Sequence, residues 1–225
     1  MPCAVYNTAK DKSIVMRIIA GKYKNKKIES PEGIKTRPIL VRVRKSLFDI
    51  LQPYLDNARM LDLFSGSGIM ALEAFSRGAA FVMSVDSDAH ATKIAETNYK
   101  NVCPDKPFRL IRGDVIQMLP RLPFQEEPFD IIGVTPPYGN DLANQTLAII
   151  DQNPIWLKPE TVIFVQSGYK EDIKVEWQNL EHVRTRKYGK TVMDFFMPFE
   201  KEESEQEEPE KSTEVDSVET PTPDA

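Results

Sequence analysis

Four short apolar runs, at 60–64, 81–85, 108–111 and 129–134, each break off into an acidic, glycine-rich or proline-rich segment. The first two are followed by stretches with helical spacing. Residues 69–77 form one such stretch, closed by Gly78, and a second runs from an Asp88 cap to Asn101 with Ala91, Ile94, Ala95 and Tyr99 on one face. Buried strands that alternate with helices predict an α/β fold with a mostly parallel sheet covered on both faces. Strands at 162–166 and 192–199 extend the pattern, the latter paired across Tyr188-Gly189-Lys190 with the segment before it. Val43, Leu47, Ile50 and Leu51 place another helix over 39–51, ahead of the sheet. At 225 residues the chain suffices for one well-buried domain, and no internal repeat is visible.

Charge is segregated along the chain, so the formal net of -5 describes no part of it. Residues 200–225 hold eleven acidic side chains against two basic ones and few large apolar groups, which predicts a disordered acidic tail. Residues 10–45 hold twelve basic side chains against three acidic. Within that block, Arg17-Ile18-Ile19-Ala20 and Lys27-Ile28-Glu29 flank Gly21-Lys22-Tyr23-Lys24-Asn25-Lys26, the pattern of a short hairpin with a basic tip. A nucleic-acid phosphate backbone is the natural partner of such a segment, with Arg17, Lys22, Lys24, Lys26, Lys27, Arg42 and Arg44 as contacts. The expected organisation is a flexible extension over 1–15, a domain over 16–199 and the tail over 200–225. No apolar run reaches the length of a membrane span, and Cys3, Cys103, His90 and His182 offer neither a disulfide framework nor a metal spacing. A cytoplasmic monomer without a structural metal is expected.

Ligands in such sheets bind beyond the carboxyl ends of the strands. After the first strand, Gly66 and Gly68 allow a tight turn and close backbone approach, while Asp62 supplies a carboxylate that can meet an ammonium group. Asp86 ends the second strand twenty residues after Gly66, the spacing of an acceptor for ribose hydroxyls. Asp114 ends the third, placed to accept from an adenine amine with Val115 lining the ring. Such a pocket fits S-adenosylmethionine better than a dinucleotide. The fourth strand ends in Thr135-Pro136-Pro137-Tyr138, where the prolines hold an extended kink, free the Pro136 carbonyl as an acceptor and present Tyr138 as a stacking surface.

Arg17-Ile18-Ile19-Ala20-Gly21, Thr36-Arg37-Pro38, Arg42-Val43-Arg44 with Leu47-Phe48, the run 61–68, Leu72-Glu73-Ala74 with Ser76-Arg77-Gly78-Ala79, and Pro136-Pro137-Tyr138 together resemble the RsmD family of bacterial small-subunit rRNA guanine-N2 methyltransferases. The resemblance covers about residues 16 to 199. It implies a Rossmann-like class I methyltransferase with an N-terminal β-hairpin and helix, which uses S-adenosylmethionine to methylate a guanine of 16S rRNA in the small ribosomal subunit. By position, Ser65, Gly66 and Gly68 hold the methionine end of the cofactor, Asp86 its ribose and Asp114 its adenine. Arg37 and neighbouring cations face RNA phosphate or the cofactor rim, and Tyr138 stacks a flipped guanine. The catalytic motif of that family opens on Asp, where this chain has Thr135. Val41 and Lys45 stand where Asp and Glu are common. Two functions follow: an active rRNA methyltransferase, or a catalytically weak RNA-binding or ribosome-assembly protein on the same fold. A DNA amino-methyltransferase shares the Pro-Pro-Tyr chemistry but needs a target-recognition domain that this chain lacks room for.

Overall fold

A computed structural model describes residues 16–30, 41–122 and 127–199. The extension over 1–15, Thr36-Arg37-Pro38 and the acidic tail over 200–225 lie outside the described residues. The chain opens with a small antiparallel pair, β1 (Met16–Arg17) and β2 (Lys27–Ile28), followed by helix α1 (Val41–Leu51). Then β3 (Arg59–Leu63), α2 (Ile69–Ser76), β4 (Phe81–Asp86), α3 (Ala89–Val102) and β5 (Phe108–Arg112) alternate as the apolar pattern predicts. A short helix α4 (Val115–Met118), β6 (Phe129–Val134), α5 (Leu142–Gln152), β7 (Leu157–Gly168), β8 (Leu180–Tyr188) and β9 (Thr191–Pro198) complete the domain.

The sheet has seven strands in the order β5-β4-β3-β6-β7-β9-β8. Its first five are parallel, and β9 and β8 close one side antiparallel. From β3 the chain builds outward to β4 and β5, then returns to place β6 on the other flank of β3. That reversal opens a crevice beyond the carboxyl ends of β3 and β6, the place where ligands bind in such sheets.

Two apolar layers sandwich the sheet. Alternate residues of the central strands, among them Met60, Val82, Ile131 and Phe164, meet α1, α2 and α3. The others, among them Leu61, Val85, Ile132 and Val165, meet α4 and α5. Strand β7 begins five residues earlier than its apolar run predicts. A register shift opposite Phe129 and Ile131 absorbs Lys158 to Glu160, so that Pro159 sits where no ladder bond is required, and the Thr161 hydroxyl donates to the Phe129 carbonyl at 2.6 Å.

The predicted hairpin forms, and its placement is set by buried polar chemistry. Glu73, fully buried in the apolar helix α2, accepts from the Ile19 N–H at 2.7 Å and from Arg44 Nε at 3.1 Å. Arg44 also donates to the Arg17 carbonyl at 2.7 Å. Arg44 is only 1% exposed, which corrects its assignment as an RNA contact: its guanidinium is spent tying the hairpin strand to two helices. Burial lowers its pKa and the Glu73 carboxylate acts against that shift, so the pair holds its charges together inside the protein.

Candidate functional site

The loop after β3 is built from left-handed backbone. Phe64, Gly66 and Gly68 have φ of 62°, 54° and 76°. The Ser65 N–H donates to the Val85 carbonyl at 3.1 Å and the Gly68 N–H to the Ser65 carbonyl at 2.9 Å, which folds the loop over the end of β4. The two glycines differ in what they leave free. A Cβ on Gly66 would meet nothing within 4 Å, whereas one on Gly68 would lie 3.2 Å from the Tyr99 ring. Gly66 therefore borders the open space expected for a ligand, and Gly68 permits close packing on α3.

Asp86 joins three strand ends. Its Oδ2 accepts from the Gly66 N–H at 2.7 Å, its Oδ1 from the Asp88 N–H at 2.9 Å, and its carbonyl from the Gly113 N–H at 2.9 Å. Each carboxylate oxygen keeps a further lone pair for a hydroxyl. Capping of α3 falls to Asp88, which accepts from His90 and Ala91, as expected. Asp114 spends Oδ1 as the cap of α4, accepting from Gln117 N–H at 3.0 Å, and remains exposed. Val115 does not line open space: its side chain packs in the apolar layer beneath α4.

Asp62 stands beneath the loop, fully buried, with neither carboxylate oxygen in a hydrogen bond. Burial first, and the Asp86 carboxylate second, push its pKa up to about 7, with the Ala71 N–H acting in the opposite direction. The Ser65 hydroxyl is a second buried group without a partner. A buried, unpartnered acid and hydroxyl in the strand and loop that lead to Gly66 suit the ammonium end of a methionine-type cofactor, so the residues present fit S-adenosylmethionine.

At the fourth strand end, Thr135 folds back onto β3. Its N–H and hydroxyl both donate to the Leu63 carbonyl at 3.3 Å, and the hydroxyl also approaches the Phe64 carbonyl at 3.4 Å. Pro136 is buried and Pro137 exposed, and Tyr138 is 43% exposed. The Tyr138 hydroxyl receives a hydrogen bond from Gln166 Nε2 at 3.1 Å and pairs with the Thr191 hydroxyl at 3.3 Å. The ring rests on Gly168, where a Cβ would lie 3.4 Å from it. Glu171 fastens the loop to β7, accepting from the N–H groups of Gly139 and Gly168. Gln166, Glu171 and Thr191 are not among the residues the sequence singles out, although a glutamine at the end of the apolar run 162–165 is a usable signal.

Asp62, Ser65, Gly66, Gly68, Asp86, Asp114 and Thr135 to Tyr138 thus gather along the carboxyl ends of four adjacent strands. The hairpin cations do not join them. Lys22 N–H donates to the Ser76 carbonyl and Lys26 Nζ to the Val102 carbonyl, at the last turns of α2 and α3, so the basic tip borders the amino ends of the strands. Lys22 and Lys26 flank the Tyr23 ring, and Arg17 donates to the Asn25 carbonyl at 2.9 Å. Arg42 is exposed on the first turn of α1.

Fold and site together define a Rossmann-like class I methyltransferase. The family model described as conserved hypothetical protein 95 matches residues 16–197. Ribosomal RNA small subunit methyltransferase D of Buchnera aphidicola subsp. Acyrthosiphon pisum is 32% identical over 163 residues, 70% of this chain and 81% of that protein. The protein of the same name from Escherichia coli K12 is 32% identical over 154 residues, 68% and 74% of the two chains. The solved structure of Escherichia coli yhhF superposes with a TM-score of 0.71 at 27% identity, covering 82% of this chain and 98% of that one. The chain belongs to the conserved hypothetical protein 95 family, the RsmD family anticipated from its motifs.

Proposed function

We propose that this protein transfers a methyl group from S-adenosylmethionine to the exocyclic N2 of a guanine in 16S rRNA, acting as a cytoplasmic monomer on the small ribosomal subunit or its RNA. The relatives named ribosomal RNA small subunit methyltransferase D support the substrate class. The observation that carries the reading is that the adjacent strands β3 and β6 bring to their carboxyl ends a buried, unpartnered Asp62 carboxyl and an exposed, hydrogen-bonded Tyr138 ring. Among the described residues no helix is long and apolar enough to cross a membrane.

The cofactor supplies a methyl group already activated on sulfonium. Asp62 and Ser65 would hold its amino-acid end, Asp86 the ribose hydroxyls and Asp114 Oδ2 the adenine amine. Tyr138 provides a flat seat for a base taken out of its stack, and its hydroxyl contacts to Gln166 and Thr191 keep the ring from swinging away. The Pro136 carbonyl and the Thr135 hydroxyl would accept from the guanine amine and orient its nitrogen for transfer, so the site works chiefly by orientation. In that transfer the N–CH3 bond forms as the S–CH3 bond breaks, S-adenosylhomocysteine leaves and the methylated amine loses a proton to solvent. Because the Thr135 hydroxyl hydrogen already points to the Leu63 and Phe64 carbonyls, its lone pairs are available to the amine.

A neutral acceptor contributes about 1 kcal/mol where a charged one contributes roughly 1.5 to 3, so turnover is expected to be slow. Thr135 also favours the second reading, an RNA-binding or assembly protein with weak catalysis. The test is incubation of unmethylated small-subunit particles and bare 16S rRNA with labelled cofactor, followed by mapping of the methyl group. A methyl on guanine N2, abolished by Tyr138→Ala, is expected. Thr135→Asp is expected to raise turnover several-fold. No transfer by either protein, with cofactor and RNA both bound, overturns the catalytic reading in favour of the second.

A further inference from the structure

A guanine held at Tyr138 places its flanking nucleotides over the carboxyl ends of the strands, and the hairpin lysines border the opposite end. Other cations border the right one. The segment Val183 to Lys190 holds Arg184, Arg186, Lys187 and Lys190 and no acidic residue. It comprises most of β8, the outermost strand of the sheet, and the turn into β9. All four are exposed, and none has a carboxylate partner among the described residues. Asp194, the carboxylate nearest in register, is buried and taken by the Thr185 hydroxyl and His182 Nε2.

The hairpin of β8 and β9 is fixed to the site at two points. Tyr188 pairs with Thr191, whose hydroxyl meets Tyr138, while the Tyr188 hydroxyl bonds Ser46 of α1 at 2.6 Å. Arg42 lies one helical turn before Ser46 on the same side of α1 and is exposed. On β8, Arg186 and Arg184 follow Tyr188 at alternate positions, so they share its face at steps of about 7 Å. That is close to the separation of successive phosphates on an extended strand. Lys190 accepts through its carbonyl from the N–H of Tyr169, a 54% exposed ring beside Lys170.

Resting on the RNA reading above, we propose that β8 and its turn into β9 form the track for the RNA backbone leaving the methyl-transfer site, with Arg184 and Arg186 meeting phosphates along the face they share with Tyr188 and Lys187 and Lys190 meeting them where the edge strand turns. Cations on an edge strand also guard against strand addition. That role explains their presence on β8. It leaves unexplained their crowding toward the end that borders Tyr138, while the one exposed carboxylate of β8, Glu181, lies at the other end of the strand.

The test compares the wild type with two fourfold glutamine variants, one at Arg184, Arg186, Lys187 and Lys190, the other at Lys22, Lys24, Lys26 and Lys27. Affinity for 16S rRNA is measured across a salt series, with KM for RNA in the transfer assay and S-adenosylhomocysteine affinity as a control on the fold. The edge variant is expected to bind at least tenfold more weakly, with a salt slope flatter by about 3, near 0.7 for each phosphate no longer neutralised. Its KM rises in parallel and its S-adenosylhomocysteine affinity holds. If that variant fails to bind S-adenosylhomocysteine, the pair Lys187→Gln and Lys190→Gln at the turn replaces it, with about half the change in slope expected. Wild-type affinity and slope in the edge variant, or weakening confined to the hairpin variant, overturn the proposal. A wild type that neither binds nor methylates 16S rRNA overturns the RNA reading itself, a separate outcome.

Discussion

Asp62 is a carboxyl group without a hydrogen-bond partner in the centre of the sheet, beside Ser84 in register and within the field of Asp86. Its raised pKa, about 7 against an ordinary 3.8, has two consequences of fixed sign. The folded chain binds this proton more tightly than the unfolded chain. The stabilisation that results is complete below about pH 4 and is lost as pH rises toward 7. An ammonium group on the ligand favours the ionised carboxylate, so binding expels the proton. Affinity for S-adenosylhomocysteine should therefore rise with pH, by up to about tenfold per unit below 7, and level off above it. Calorimetry between pH 5.5 and 7.5 on wild type and Asp62→Asn checks this, and an equal pH slope in the variant would sink the assignment. Gly66 and Asp86 are legible in the sequence because each lies just beyond an apolar run, and Asp62 because it is a carboxylate inside one. Arg44 is not, because its partner Glu73 lies 29 residues away, and only a carboxylate inside the apolar run 69–76 hints that something buried must neutralise it.

The N-terminal hairpin is held by its apolar side chains Met16, Ile18, Tyr23 and Ile28, which join the core beneath α1 to α3, and by its backbone. Its backbone satisfies the last turn of α2: the Lys22 N–H donates to the Ser76 carbonyl at 2.7 Å, Tyr23 N–H to the Ser76 hydroxyl at 2.9 Å, and that hydroxyl to the Ala20 carbonyl at 2.5 Å. Packing this close requires Gly21, with φ of 82° and a hypothetical Cβ only 1.8 Å from the Ser76 carbonyl oxygen. Gly21→Ala should cost about 3 kcal/mol, from backbone strain together with broken hydrogen bonds. Gly139→Ala, with φ of 95° but open space around its Cβ, should cost only about 1. Urea midpoints on the two variants separate these, and equal losses would show that the hairpin is not docked on α2. Most element boundaries agree with the apolar pattern to within about two residues. Helix α5 is hidden in the sequence although Ala143, Leu147 and Ile150 carry its buried face, because the prolines and glycine before it read as a loop. The early start of β7 is hidden by Pro159, which a register shift accommodates.

Across the whole molecule, the mostly parallel sheet and the gathering of ligand residues at its carboxyl ends are readable from the alternation of strands and helices. The strand order is not, because crossovers of the same hand can place β6 on either flank of the β3-β4-β5 block. Nor is the end of the sheet that receives the basic hairpin, since it depends on contacts of α2 and α3 that are distant in sequence. The acidic segment over 200–225 lies outside the described residues, and its role follows from charge. The last strand closes at Pro198, where the Phe199 N–H donates to the Asn179 carbonyl at 3.1 Å, so the described core is complete before residue 200. We propose that the domain ends there. Deleting 200–225 should leave urea unfolding cooperative, with stability within about 0.5 kcal/mol of the full chain. The deletion removes nine net negative charges from a chain of net -5 and leaves +4. If those charges compete with RNA for the cations of β8 and α1, affinity for an unrelated single-stranded RNA should rise several-fold at about 0.1 M salt, where charges are screened beyond about 10 Å. The gain should fade as salt increases. Loss of cooperative unfolding on truncation would move the domain boundary past residue 200, and unchanged non-specific affinity would show that the acidic segment does not reach the basic faces.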